Sequence, residues 1–182
     1  MSFRYDIRLS GEGGQGLVLA GRILAEAAAI YDEKNATQSQ SYGPEARGGA
    51  SRSEVIISDE DIDYPKATNL DLLLALTQES CNKYAKDLKE SGILLVDSGV
   101  VVRVPEGKFR VYKVPITEIA RTQVGKSVVA NIVALGIIAR LSSIVSVEAL
   151  ESAVLARVPK GTEELNLRAF RTGMEVAAQL IR

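Results

Sequence analysis

Apolar and polar positions alternate loosely over residues 3–9 and then meet a cluster of glycines, the pattern of a first strand entering a tight turn. From 17 to about 31 the period changes. Leu17, Ala20, Leu24, Ala27 and Ala28 recur at helical spacing, while Gly21, Ala25 and Ala29 leave the rest of that surface small, so the helix can approach a sheet or a neighbouring chain closely. Four further strands are predicted at 53–58, 70–76, 92–98 and 108–114. The middle two are continuously apolar, as central strands covered on both faces tend to be. Between them Thr77 is placed to cap a helix with Glu79 in its first turn and Cys81, Tyr84 and Leu88 as its inward stripe. Beyond Pro115 the pattern is helical. Residues 126–144 are apolar almost all round, which predicts burial on more than one side, in the core or under another subunit. Ser146 and Thr162 are placed to cap two further helices.

Residues 35–51, NATQSQSYGPEARGGAS, carry no aliphatic side chain beyond alanine and hold Gly43, Pro44, Gly48 and Gly49, so a long loop is expected there. Loops longer than about a dozen residues are uncommon in compact domains unless functional. Strands alternating with helices predict a three-layer α/β/α fold, Rossmann-like, with a mostly parallel sheet of about five strands. At 182 residues the chain suits a single domain over 1–182, whose switch-point crevice would hold both glycine-bearing stretches.

Composition narrows the chemistry. Lys and Arg total 22 against 23 Asp and Glu, so no bulk charge draws the chain to nucleic acid or to a membrane surface. No apolar run is long enough to span a bilayer and no charged-then-apolar leader follows Met1, which places the expected compartment in the cytoplasm. The single cysteine, Cys81, excludes an internal disulfide and cannot by itself hold an iron–sulfur cluster, which takes about four thiolates. There is no histidine, the usual proton-transfer group and the commonest metal ligand. No metal site is expected.

Three short stretches carry candidate chemistry. In GEGGQG, Gly11, Gly13 and Gly16 fall on the G-x-G-x-x-G spacing between a strand and a helix, where glycines permit a tight turn and helix-start amides attract anions. A dinucleotide site also needs an acid about twenty positions on, at the end of the second strand. Asp32 and Glu33 stand near that distance but close a helix, which argues against NAD. GKS at 125–127 resembles the end of a P-loop, but Ala120 stands where the partner glycine would be and no strand leads in, so it reads as a helix start. In SYGPEARGGAS, Tyr42, Glu45 and Arg47 sit among glycines and a proline, placed for contact. Two readings stay open: a subunit completing an enzyme's active-site wall, and a stand-alone nucleotide-binding module with a Rossmann-like glycine loop.

Taken together, GEGGQGLVLAGRILAEAA and SYGPEARGGASRSEVIISDEDIDYP resemble the gamma subunit of the 2-oxoacid:ferredoxin oxidoreductases. The likeness continues through the AN...ALG of 131–136 and the N..A...G formed by Asn166, Ala169 and Gly173. The family's glycine-rich loop carries over to Gly11, Gly13, Gly14, Gln15 and Gly16, and its RGG loop to Tyr42, Gly43, Glu45, Arg47, Gly48 and Gly49. The wording SYGPEARGG is closer to the 2-oxoglutarate type than to the pyruvate type, and the 2-oxoisovalerate and indolepyruvate branches share much of it. The resemblance implies a heteromeric enzyme in which this chain joins alpha and beta subunits, with a ferredoxin-like delta subunit as a further candidate partner. Thiamine diphosphate and an iron–sulfur cluster would belong to other chains, and coenzyme A to the assembled complex. It also implies oxidative decarboxylation of a 2-oxoacid to an acyl-CoA, with electrons passed to ferredoxin. No cofactor is implied on this chain alone, and the glycine stretches would contact coenzyme A, the diphosphate or a partner chain.

Overall fold

A computed structural model describes residues 2–42 and 49–182. Its centre is a six-stranded sheet in the order β2-β3-β1-β4-β5-β6. β1 (Arg4–Glu12) runs parallel to β4 (Leu70–Ala75), which pairs in parallel with β5 (Leu88–Asp97), and that with β6 (Arg110–Val114). On its other side β1 pairs antiparallel with β3 (Ala50–Ser58). The apolar runs predicted for β4 and β5 lie in the middle of the sheet, where Leu72, Leu74, Leu94 and Leu95 are essentially inaccessible to water.

The stretch 35–51 differs from expectation. Its first half is not loop but β2 (Asn35–Tyr42), paired antiparallel with β3 from Asn35↔Ser58 to Tyr42↔Ser51. The sheet therefore has six strands rather than about five. β2 is an edge strand whose Ser39, Gln40 and Ser41 face solvent, so it needs no aliphatic side chains and its strand character is invisible to a search for apolar alternation. Side-chain bonds reinforce the pairing, with Gln38 Nε2 donating to Ser53 Oγ at 3.1 Å.

The sheet's two faces are covered unequally. One receives α1 (Leu17–Glu26), which a wide turn extends to Tyr31, together with the short α3 (Ile116–Ile119), α4 (Ala130–Ser142), α5 (Val147–Arg157) and α6 (Glu163–Leu180). Residues 130–139 of α4 are all buried, including Asn131. That burial is within the chain's own core, where Gly136 and Gly173 let α4 and α6 touch backbone to backbone. A Cβ on Gly136 would overlap the Phe170 carbonyl oxygen, and one on Gly173 the Val133 carbonyl oxygen. Gly21 likewise brings α1 against Ser53 of β3.

The other face is thinner, covered by α2 (Gln78–Tyr84) and apolar residues from extended segments, among them Ala67 and Val101. Thr77 caps α2 as expected, its hydroxyl oxygen accepting from the Ser80 amide, whereas Leu88 opens β5 instead of completing the helix's inward stripe. Ser146 caps α5. Thr162 does not cap α6 by its side chain; its hydroxyl donates to the Pro159 carbonyl oxygen at 2.6 Å and accepts from Asn166 Nδ2 at 3.1 Å. Arg8 of β1 points to the α2 face, buried, with its guanidinium 4.7 Å above the Tyr84 ring, donating to Asp87 at 2.6 Å and to the Ala67 carbonyl at 3.0 Å. No helix among the described residues is long and apolar enough to cross a membrane.

The α4–α6 contact leaves no room for one added carbon. Gly136→Ala is expected to lower unfolding free energy by about 1–3 kcal/mol, the usual cost of overpacking. Urea denaturation followed by circular dichroism measures it, and a variant as stable as the wild type would contradict backbone contact at this position.

Candidate functional site

The glycine turn stands where β1 leaves the sheet. α1 follows β1 on one face and α2 follows β4 on the other, so the chain's course divides between these two neighbouring strands and opens a crevice beyond their carboxyl ends. The β1–β3 ladder continues as far as Glu12↔Ala50, and one residue further the Gly13 amide donates to the Gly49 carbonyl at 2.7 Å. The two glycine-bearing stretches, three dozen residues apart, therefore meet at the backbone. Gly14 and Gly16 take positive φ of 90° and 73°, and Gly16 occupies the N-cap of α1. Of the other expected site residues, Tyr42 ends β2 opposite Ser51, while Gly43, Glu45, Arg47 and Gly48 lie outside the described residues.

Gln15 folds back over the turn. Its Oε1 accepts from the Glu12 amide at 2.7 Å and its Nε2 reaches the Leu76 carbonyl at 3.5 Å, where β4 ends. Gly11 allows this, because a Cβ there would collide with the Gln15 side chain. Across the crevice, Asn131 Nδ2 donates to the Gly16 carbonyl at 3.0 Å. Gly16 is thus required twice, by its backbone angle and by the amide packed against it.

Between these parts lies a cavity of about 310 Å³. Gly14, Gln15 and Leu76 form one side; Thr117, Ser127, Val128 and Ala130 form the other. Two helix starts converge here, that of α1 and that of the helical run formed by 127–129 and α4. Helix starts carry unsatisfied N–H groups and the positive end of the helix dipole, and among the described residues that line this cavity none is a carboxylate. Its chemistry suits an anion or a carbonyl oxygen.

Asp97, at the end of β5, is buried and turned away to a structural task. Its Oδ2 accepts from the Thr117 amide at 3.1 Å and from the Thr117 hydroxyl at 2.6 Å, and its Oδ1 accepts from the Gly99 amide at 3.0 Å. This holds Thr117 at the cavity wall. Thr117 and Asp97 escaped sequence reading, although both follow the carboxyl ends of parallel strands, where ligands gather in such sheets. Asn131 entered only through the likeness at 131–136. GKS is no P-loop: Gly125, with φ 112°, closes a helical turn whose Ala120 carbonyl accepts from the Gly125 and Lys126 amides. Its Ser127 nonetheless borders the cavity.

Of the two acids weighed for a ribose, Asp32 is occupied elsewhere. Asp32 accepts from the Ser146 amide at 2.7 Å and from its hydroxyl at 2.8 Å, pinning the far end of α1 to the start of α5. At 1.5 Å per residue that is roughly 20 Å from the glycine turn. Cys81 is on the buried side of α2, and burial pushes its thiol pKa up, so it is not an activated nucleophile.

Residues 6–176 match the family described as pyruvate ferredoxin/flavodoxin oxidoreductase. The chain belongs to this family. It is 55% identical to the 2-oxoglutarate synthase subunit KorC of Methanocaldococcus jannaschii over 182 residues, covering 99% of this chain and 97% of that protein. Against the pyruvate synthase subunit PorC of Methanothermobacter marburgensis identity falls to 30% over 173 residues, covering 93% and 96%. Among solved structures, the gamma subunit of a keto/oxoacid ferredoxin oxidoreductase from Geobacter sulfurreducens superposes with a TM-score of 0.87 at 57% identity, covering 96% of this chain and 99% of that one. Family membership speaks for the enzyme subunit over the stand-alone nucleotide module.

Gly16 offers a direct check of the turn. Gly16→Ala combines left-handed strain with collision against Asn131 and is expected to cost about 1–3 kcal/mol. Gly14→Ala carries strain alone, since space there is open, and is expected to cost less. Chemical denaturation of both variants decides it; equal losses would contradict the contact between Gly16 and Asn131.

Proposed function

We propose that this chain is the gamma subunit of a heteromeric 2-oxoacid:ferredoxin oxidoreductase of the 2-oxoglutarate type, its 182 residues forming one gamma-type domain. The assembled enzyme oxidatively decarboxylates the 2-oxoacid to an acyl-CoA and passes electrons to ferredoxin. The observation that carries the specificity is the gap between 55% identity to a 2-oxoglutarate synthase subunit and 30% to a pyruvate synthase subunit, at similar coverage.

Thiamine diphosphate and an iron–sulfur cluster supply the decarboxylation and the electron path from partner alpha and beta subunits, with a ferredoxin-like delta subunit as a further partner. With one thiol, and that buried, and no histidine, the donor set of this chain does not fit an iron–sulfur cluster as a resident. It does fit an anionic group brought to the crevice. The helix-start amides beside Gly14–Gly16 and Ser127, with no carboxylate among the described lining residues, would hold a phosphate of coenzyme A or of the thiamine diphosphate at the wall of the active site. Arg47, on the stretch that joins Tyr42 to Gly49, would add bidentate recognition. Such a complex works in the cytoplasm, without nucleic acid or membrane.

The isolated chain is expected to show no iron–sulfur absorbance and no 2-oxoacid oxidation. Assembled with its partner subunits, it should support reduction of ferredoxin fastest with 2-oxoglutarate when pyruvate, 2-oxoglutarate and 2-oxoisovalerate are compared. Turnover by the isolated chain would contradict the subunit assignment, and a preference for pyruvate the substrate type.

A further inference from the structure

We propose that Asn131 is a positioning residue that sets the spacing between the two walls of the cavity, and thereby the affinity of the assembled enzyme for its anionic co-substrate; this rests on the reading of the cavity given above. Among the described residues, the bond from Asn131 Nδ2 to the Gly16 carbonyl is the only side-chain hydrogen bond between the glycine turn and the start of α4, two segments 115 residues apart. Gly14 and Gln15 line the cavity from one segment, Ser127 and Ala130 from the other. Helix packing brings these walls together, and this one amide ties their spacing by a directed bond.

Simple satisfaction of polar groups does not account for it. The Gly16 carbonyl already accepts the first helical bond of α1, from the Ala20 amide at 3.0 Å, and needs no second donor. Asn131 itself sits 5% exposed in a helix whose next eight residues are all buried and, apart from Gly136, aliphatic. A buried amide is costly unless it is bonded, and an aliphatic side chain would bring no such cost. The Asn131 amide is bonded at both ends: Nδ2 to Gly16, and Oδ1 accepting from the Ile132 amide at 3.0 Å. An amide held in this way at a helix start has a fixed direction. It draws the N-cap of α1 toward α4 and keeps the amides of both helix starts at the spacing a bound anion would meet.

Two variants of the assembled complex separate positioning from plain stability. Asn131→Leu keeps the number and branching of the side-chain heavy atoms, though with bulkier methyls, and removes the bond. Asn131→Asp keeps the shape but sets a carboxylate against the Gly16 carbonyl and beside the anion's place. Hydrogen–deuterium exchange over residues 13–19 reads the turn, and the KM for coenzyme A against kcat reads its use. For Asn131→Leu we expect faster exchange over 13–19 and a KM for coenzyme A raised about three- to tenfold, the range of one lost neutral hydrogen bond. The KM for the 2-oxoacid should stay near the wild-type value and kcat should fall far less than the KM rises. Asn131→Asp should raise the coenzyme A KM further. Unchanged exchange in Asn131→Leu would overturn the positioning role whatever the kinetics show. Faster exchange with an unchanged coenzyme A KM would overturn the use of the cavity for that co-substrate. Melting that falls together with every rate constant would reduce Asn131 to a stability residue and overturn the proposal.

Discussion

The β1–β3 ladder is the constraint from which the site follows. It runs unbroken from Arg4↔Ser58 to Glu12↔Ala50, and the Gly13 amide bonded to the Gly49 carbonyl carries it one step beyond the sheet. Backbone pairing of this length leaves little freedom in register, because a slip of one residue would turn Ile7, Leu9 and Val55 out of the core. With the register set, the chain's two glycine-rich stretches must arrive together at the carboxyl end of β1. Everything else at the crevice is arranged around that meeting point.

The unequal faces of the sheet serve the same end. The thick face stacks α1, α4 and α6 so closely that glycines are needed at 136 and 173, and that packing presses the start of α4 against the glycine turn. Without it the cavity would lack its second wall. The thin face relies on α2 and on Arg8, whose charge is balanced by Asp87 and stacked on Tyr84, so a buried guanidinium takes the place of a second helical layer. A chain built in this way has a closely packed core on one side and, at the crevice, a cavity bordered by two helix starts.

How much was legible beforehand depended on where each residue finds its partners. β4 and β5 announced themselves because central parallel strands are apolar on both faces, and α4 because its burial is nearly complete. The glycine turn was visible through its spacing, and of the two acids weighed against NAD the fold ties Asp32 to Ser146. β2 was not visible, since an edge strand with solvent on its flank is free to be polar. Thr117, Asp97 and Asn131 have ordinary local sequence. Their roles come from contacts 20 to 115 residues away, which periodicity does not encode.

The central claim is that this crevice receives an anionic group belonging to the reaction of the assembled enzyme. The most direct measurement is a structure of the complete complex with coenzyme A and thiamine diphosphate bound. The account predicts a phosphate oxygen of one of them within hydrogen-bonding distance of the amides at Gly14–Gly16 or Ser127. A partner side chain filling the cavity, with every phosphate held by other subunits, would contradict it.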